Sequence, residues 1–180
     1  MNADVDALRP AMTEDALRLE PLAEVHRAGL AAACAADTEI WAIYMADWSP
    51  AGFDTAFAQA LANPRLIPFA IVDDGMIVGM SSYIDADGRH GVVEIGSTYL
   101  APVVRGTGFN ARVKRLMLDR AAAAGFRRVE FRIDTRNARS MAAVEKLGAV
   151  REGVLRRHRV TWTGYVRDTA LYALFIDGID

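Results

Sequence analysis

The chain has 180 residues, 52% of them hydrophobic and 24% charged, a balance that suits one globular domain with a sizeable core. Twenty-one Lys and Arg against 23 Asp and Glu leave a formal net charge of −2, which argues against nucleic acid or an anionic membrane as main partner. A single cysteine, Cys34, excludes an intramolecular disulfide, and three scattered histidines lack metal-ligand spacing, so no metal is expected.

The N-terminal stretch carries Asp4, Asp6, Glu14 and Asp15 and has no apolar signal-peptide core. No apolar run reaches the roughly 20 residues that span a bilayer, so a cytoplasmic location is expected. Residues 1–14 read as a loose tail and 15–180 as a single domain. Leu17-Arg18-Leu19 alternates as a strand does, and the Ala-rich stretch 23–36 predicts a helix that buries Cys34 as an inert thiol. A second helix is predicted over 53–61, ended by Asn63-Pro64.

Strand chemistry follows. Residues 68–72 and 76–80 are apolar runs joined by Asp73-Asp74-Gly75, the signature of a hairpin. A third strand over 92–100 completes an antiparallel meander. A helix over 110–124 should turn Val113, Leu116, Met117 and Ala121 inward and Arg112, Arg115 and Asp119 outward, with Gly125 at its C-terminal cap. Residues 129–134 alternate as a strand, 140–147 form a short helix ended by Gly148, and two strands near 150–159 and 168–176 close the chain across Thr163-Gly164. This order predicts an α+β domain with a mixed, mostly antiparallel central sheet flanked by helices.

The segment from Tyr99 and Leu100 through Arg105-Gly106-Thr107-Gly108-Phe109-Asn110 leads from a strand into a helix N-terminus. The first amides of a helix have no intrahelical partner and its dipole favours anions there. Gly106 and Gly108 let a phosphate approach the backbone, Arg105 and Arg112 add charge, and Asn110 can cap the helix. Ala111 rules out a dinucleotide G-x-G-x-x-G fingerprint, and a Walker loop is not present. The same glycines would also serve a plain strand-to-helix turn.

Arg105–Asn110 resembles the [RQ]-x-x-G-x-[GA] signature of the GNAT acetyltransferase superfamily, with Asn110 in place of the final small residue. The stretch from Arg132 through Asn137 and Ser140 to Glu145-Lys146-Leu147-Gly148 is similar to a second superfamily sequence. The closing segments Glu152–Arg156 and Arg167–Tyr172 resemble the branch that contains ribosomal-protein N-terminal acetyltransferases. The resemblance implies acetyl-CoA as co-substrate, held by Tyr99, Leu100, Arg105, Gly106, Thr107, Gly108, Phe109, Asn110, Asn137 and Ser140. It implies direct attack by a primary amine in a ternary complex, with the thioester carbonyl held by a strand N–H near Leu100. It also allows a homodimer. The usual tyrosine acid is replaced by Val144, which leaves Ser140 as the nearest candidate.

Glu94, an acid inside the apolar strand that leads to the loop, is the candidate general base, although a salt-bridged strand residue would read the same way. Ser140 also suits a helix N-cap. Trp41, Tyr44, Trp48 and Tyr83 are candidates for the acceptor pocket, and core packing explains such aromatics as well. The basic run 151–159 reads as a solvated strand face or as a contact for an acidic substrate or the CoA 3′-phosphate. The acceptor is a protein N-terminus or a small amine; a non-catalytic acyl-CoA-binding or sensing module is the alternative, ahead of a pure interaction domain.

Overall fold

The computed structural model describes residues 2–176, so the last four residues of the expected domain lie outside the described ones. The strands are β1 (Met12–Glu14), β2 (Leu17–Pro21), β3 (Leu66–Asp73), β4 (Met76–Asp87), β5 (Val92–Leu100), β6 (Arg128–Asp134), β7 (Val150–Val160) and β8 (Val166–Phe175). They form one sheet in the order β1-β2-β3-β4-β5-β6-β8-β7. Only β5 and β6 pair in parallel; the other neighbours are antiparallel. The helices are α1 (Arg27–Ala35), α2 (Phe53–Ala62), α3 (Phe109–Ala123) and α4 (Ala138–Glu145). The fold is the single α+β domain expected from the sequence.

Local chemistry explains the turns and ends. Asp74 and Gly75 both take positive φ (47° and 78°), the mirror-image turn whose twist matches the strands it joins. Gly125, at φ 86°, accepts the left-handed conformation that ends α3. Alternation on β6 sends Val129, Phe131 and Ile133 into the core, where α3 contributes Val113, Met117 and Ala121 and α4 contributes Val144. A second apolar cluster covers the opposite face of the meander, where α1 and α2 place Leu30, Cys34, Phe53 and Phe57 against Ala70, Met80 and Tyr99. Burial pushes the Cys34 thiol up to about 12, in keeping with an inert core residue.

The first residues are not loose. Asp6–Leu8 form a 3-10 turn, Met12–Glu14 form the edge strand, and Leu8 and Met12 pack into the α3-side core. Arg120 of α3 ties this segment down by donating to the carbonyls of Ala7 (3.1 Å), Pro10 (3.2 Å) and Ala11 (3.2 Å). Short apolar residues among acids gave no periodic signal, so their burial depends on contacts made far along the chain. Leu8 is fully buried, and Leu8→Ala is expected to cost about 2–5 kcal/mol in urea unfolding. A loss below about 0.5 kcal/mol, the size of a surface change, would show that the segment is not part of the core.

Candidate active site

The parallel ladder between β5 and β6 is short: Val92 pairs with Arg128, Val93 with Val129 and Glu94 with Glu130, and there it stops. From Ile95 to Leu100 the edge of β5 facing β6 has no strand partner, while β6 stays paired with β8 through Asp134. Ser97 takes φ 50° and the register to β4 slips between Met80 and Ser82, so β5 bends away as it leaves Glu94. The opening is a cavity of about 600 Å³ bounded by β5, β6, the 105–111 loop and helix start, α4 and the segment 40–45.

One mouth presents two glycines and a helix start, whose first amides have no intrahelical partner. Gly106 and Gly108 have φ 79° and 84° with open space where a Cβ would stand, so any side chain there would be strained and would fill the cradle. Helix α3 starts at Phe109 with Gly108 as its N-cap, one residue earlier than expected, so Asn110 lies inside the first turn rather than capping it. Arg105 lines the cavity, but it donates to the Leu100 carbonyl (2.7 Å) and pairs with Asp37, which spends most of its charge; its Nη2 is buried without a partner. Arg112 turns away to Glu14 (3.1 Å). Arg139 on α4 and Lys146 at its C-terminal end instead bring positive charge to the cavity wall.

Asn137 and Ser140 also line the cavity. Asn137, not Ser140, caps α4: its Oδ1 accepts from the Ser140 N–H (3.0 Å), because the helix begins at Ala138. The cap leaves the Asn137 Nδ2 available to a ligand. Val144 is buried in the wall, where the family tyrosine would stand.

Glu94 faces the cavity, 9% exposed, with Oε2 3.5 Å from Arg132 Nη1 and no hydrogen-bond partner. Burial raises its pKa, and Arg132 and Arg159 pull it part of the way back. The Tyr44 hydroxyl reaches β5 and donates to the Thr98 carbonyl (2.6 Å) beside Ile40, Ile43 and Met45.

Several expected contacts lie elsewhere. Trp41 is fully buried against Tyr99 (4.5 Å between ring centroids) and donates to the Cys34 carbonyl (3.2 Å). Trp48 packs on Phe53 in the same cluster. Tyr83 points to the other face and donates to the Met117 carbonyl (2.6 Å). Tyr99 donates to the Ala33 carbonyl (2.7 Å), Phe109 is a core residue, and Thr107 turns outward and donates to the Val104 carbonyl (2.9 Å). These six side chains do not line the cavity, because burial of their rings, or for Thr107 a local turn bond, claims them first.

Lys114 is the residue the sequence pattern missed. It was grouped with neither face of α3, yet it is buried at 4% exposure and lines the cavity beneath β5. Its position, four after Asn110 and three before Met117, puts it on the helix's inner face. Its Nζ donates to Thr98 Oγ1, which is bonded in turn to Ser81 Oγ (2.7 Å). No carboxylate pairs with it among the described residues, and burial pulls its pKa down to about 7.

The model of the acetyltransferase (GNAT) domain matches residues 16–150, and the chain belongs to the GNAT acetyltransferase family. A probable GNAT-family acetyltransferase from Chromobacterium violaceum ATCC 12472 superposes at a TM-score of 0.88 with 29% identity, over 98% of this chain and 90% of that one. A GCN5-related N-acetyltransferase from Brucella melitensis gives 0.86 at 27% identity, over 93% and 79%. RimJ of Mycobacterium smegmatis, solved in complex with CoA-disulfide, shares the fold at 0.75 with 23% identity, over 88% and 81%. No curated protein matches the chain in sequence. No helix of the described residues is long and apolar enough to cross a membrane.

The state of Lys114 has a measurable signature. The folded protein releases its proton near pH 7, whereas the unfolded chain holds it until its ordinary value of 10.5. Between those values the unfolded state binds more protons, so stability should rise with pH, by about 1.4 kcal/mol per pH unit from this group. Urea unfolding of the wild type and Lys114→Met from pH 7 to 10 should show that extra slope only in the wild type. Equal slopes would mean that the amine is not held neutral.

Proposed function

We propose that the protein transfers an acetyl group from acetyl-CoA to a primary amine by direct attack, with both substrates bound at once. The observation that carries this reading is the split between β5 and β6, with an anion cradle at one mouth and a buried carboxylate, Glu94, across the sheet. The residues present suit acetyl-CoA: the open cradle at Gly106 and Gly108, the orphaned Arg105 Nη2 and the unpaired edge of β5 supply donors with nothing else to bond. When bound, acetyl-CoA supplies an activated acyl carbon and a thiolate leaving group.

The chain's own tasks are placement and proton handling. The helix start and the loop amides hold phosphate, with Arg139 and Lys146 as flanking charge. An N–H of the unpaired β5 edge near Leu100 holds the thioester oxygen and stabilises the negative charge that develops there. Glu94 takes a proton from the acceptor ammonium, freeing the nitrogen lone pair. The C–N bond then forms as the C–S bond breaks. The nitrogen gives up a second proton, and the Ser140 hydroxyl, which has no hydrogen-bond partner among the described residues, relays one to the sulfur. The acceptor is a small amine or a peptide N-terminus, entering along the wall made by Ile40, Ile43, Tyr44 and Met45.

Isothermal titration with acetyl-CoA should show binding by the wild type and loss in Gly108→Glu, with circular dichroism confirming that both are folded. No binding by folded wild type would sink the transfer reading. Glu94 must be ionised to act, and its pKa is raised, so kcat/KM should fall as pH drops through a point above the ordinary carboxylate range. Glu94→Gln should lower kcat by about 10²–10⁴-fold and remove that acid limb. An unchanged pH profile in the variant would assign the base elsewhere. Binding of acetyl-CoA without turnover of any amine would favour the sensing module instead.

A further inference from the structure

The sheet face opposite α3 and α4 carries a row of charge beyond Glu94. Alternation along β6 sends Glu130, Arg132 and Asp134 to this face, and the register places Thr169 of β8 beside Asp134 and Arg159 of β7 beside Arg167 of β8. Most of these charges are matched. Glu130 is shared by Arg128 (3.0 Å) and Arg132 (2.9 Å), and Asp134 is taken by Arg136 (2.7 Å). Arg159 and Arg167 are different: both line the cavity, and neither has a carboxylate within 4.0 Å among the described residues.

Arg167 is only 6% exposed. It donates to two neutral acceptors, Thr169 Oγ1 (3.1 Å) and the Arg132 carbonyl (3.3 Å). A buried guanidinium without an anion is costly. Burial pulls the Arg167 pKa down, Asp134 holds it up, and the neighbouring Arg159 pulls it down again. Arg132 Nε, on the same cavity wall, is buried and unpartnered as well. Two guanidinium groups without a carboxylate in contact, on one wall of a cavity and with the Arg132 Nε uncommitted, suit an anion.

Resting on the acetyl-transfer reading, we propose that Arg159 and Arg167 form a carboxylate subsite and that the acceptor is a carboxylate-bearing amine of the amino-acid type. The carboxylate meets the arginine fork on β7 and β8, where two parallel N–H donors match its oxygens. The ammonium then faces Glu94 on β5. The strands that bear Glu94 and Arg167 are two positions apart in the sheet, roughly 10 Å. Arg167 starts six residues along β8 from the Glu94 row, and its side chain runs back toward that row to reach Thr169 and the Arg132 carbonyl. This arrangement also explains the pairing pattern. Glu94 has one long ion pair, 3.5 Å to Arg132, and no contact with Arg159, so its carboxylate is left to the substrate's ammonium. Like-charge contact with the two arginines disfavours amines that carry a second cation in place of the carboxylate.

Binding of product-like probes tests the subsite without turnover. In isothermal titrations, N-acetylglycine should bind about tenfold or more tightly than N-acetylglycinamide, the discrimination expected of charge-assisted hydrogen bonds to one carboxylate. The preference should vanish in Arg159→Gln and shrink in Arg167→Lys, which keeps the charge but loses the fork, while both variants keep wild-type affinity for acetyl-CoA. Equal affinities for the two probes, or no binding of either by the wild type, overturns the carboxylate subsite. Failure of the wild type to bind acetyl-CoA overturns the transfer reading instead, so the two ideas fail separately.

Discussion

Three residue pairs join β5 to β6, and the cavity opens because that ladder ends at Glu94. Strand backbone left unpaired must find other partners or lose stability, so an open seam needs structural support. Here the support comes from both sides. The Tyr44 hydroxyl and the Arg105 guanidinium take up the carbonyls of Thr98 and Leu100. The bulge at Ser97 turns β5 away, and Arg105 is itself anchored by Asp37. The β1–β4 half is braced by α1 and α2 on one face and α3 on the other, and β6 is braced by α3 and α4, so each half keeps its shape without closing the gap.

The charges around the seam are sorted by strand. Under β5 sits Lys114, buried and held by a hydroxyl rather than a carboxylate, which favours the neutral amine. Across the sheet, Glu94 and Glu130 stand side by side in register, an arrangement that raises the Glu94 pKa further, and Arg128 and Arg132 bond only the second of them closely. Glu94 is thereby kept buried, basic and lightly paired. A strong ion pair would have fixed it as an inert carboxylate.

The α+β order, the mixed, mostly antiparallel sheet and the strand–loop–helix passage at Arg105–Gly108 were legible because they rest on local rules: strand alternation, turn glycines and a helix start. Glu94, read from an acid inside an apolar strand, and Asn137 and Ser140, read from the second motif, line one cavity, from β5 and from the start of α4. Aromatic side chains were less legible. Trp41, Trp48 and Tyr83 carry the same composition signal whether they line a pocket or fill a core, and only tertiary packing decides, as the Trp41–Tyr99 contact does. Asn110 and Ser140 were both assigned capping roles that shifted when α3 and α4 began one and two residues earlier than expected. Lys114 shows the opposite error: a charged residue at an inner helical position was passed over because charge is normally an outward signal.

Arg105 shows how one residue of a recognised motif can serve the fold as much as the ligand. Its guanidinium is spent on Asp37 and the Leu100 carbonyl, and one nitrogen remains uncommitted. In the proposed reading, phosphate is therefore drawn chiefly by backbone amides and the helix start, with Arg139 and Lys146 across the cavity, rather than by the arginine that marks the motif. A carboxylate-paired Arg105 cannot repel or attract strongly at long range, but it fixes where β5 ends and where the loop amides point. The same economy recurs at the far end of the cavity, where Arg132 and Arg136 are paired and structural while Arg159 and Arg167 are not. In both places the unpaired donors, rather than the total charge, mark where a ligand would complete the site.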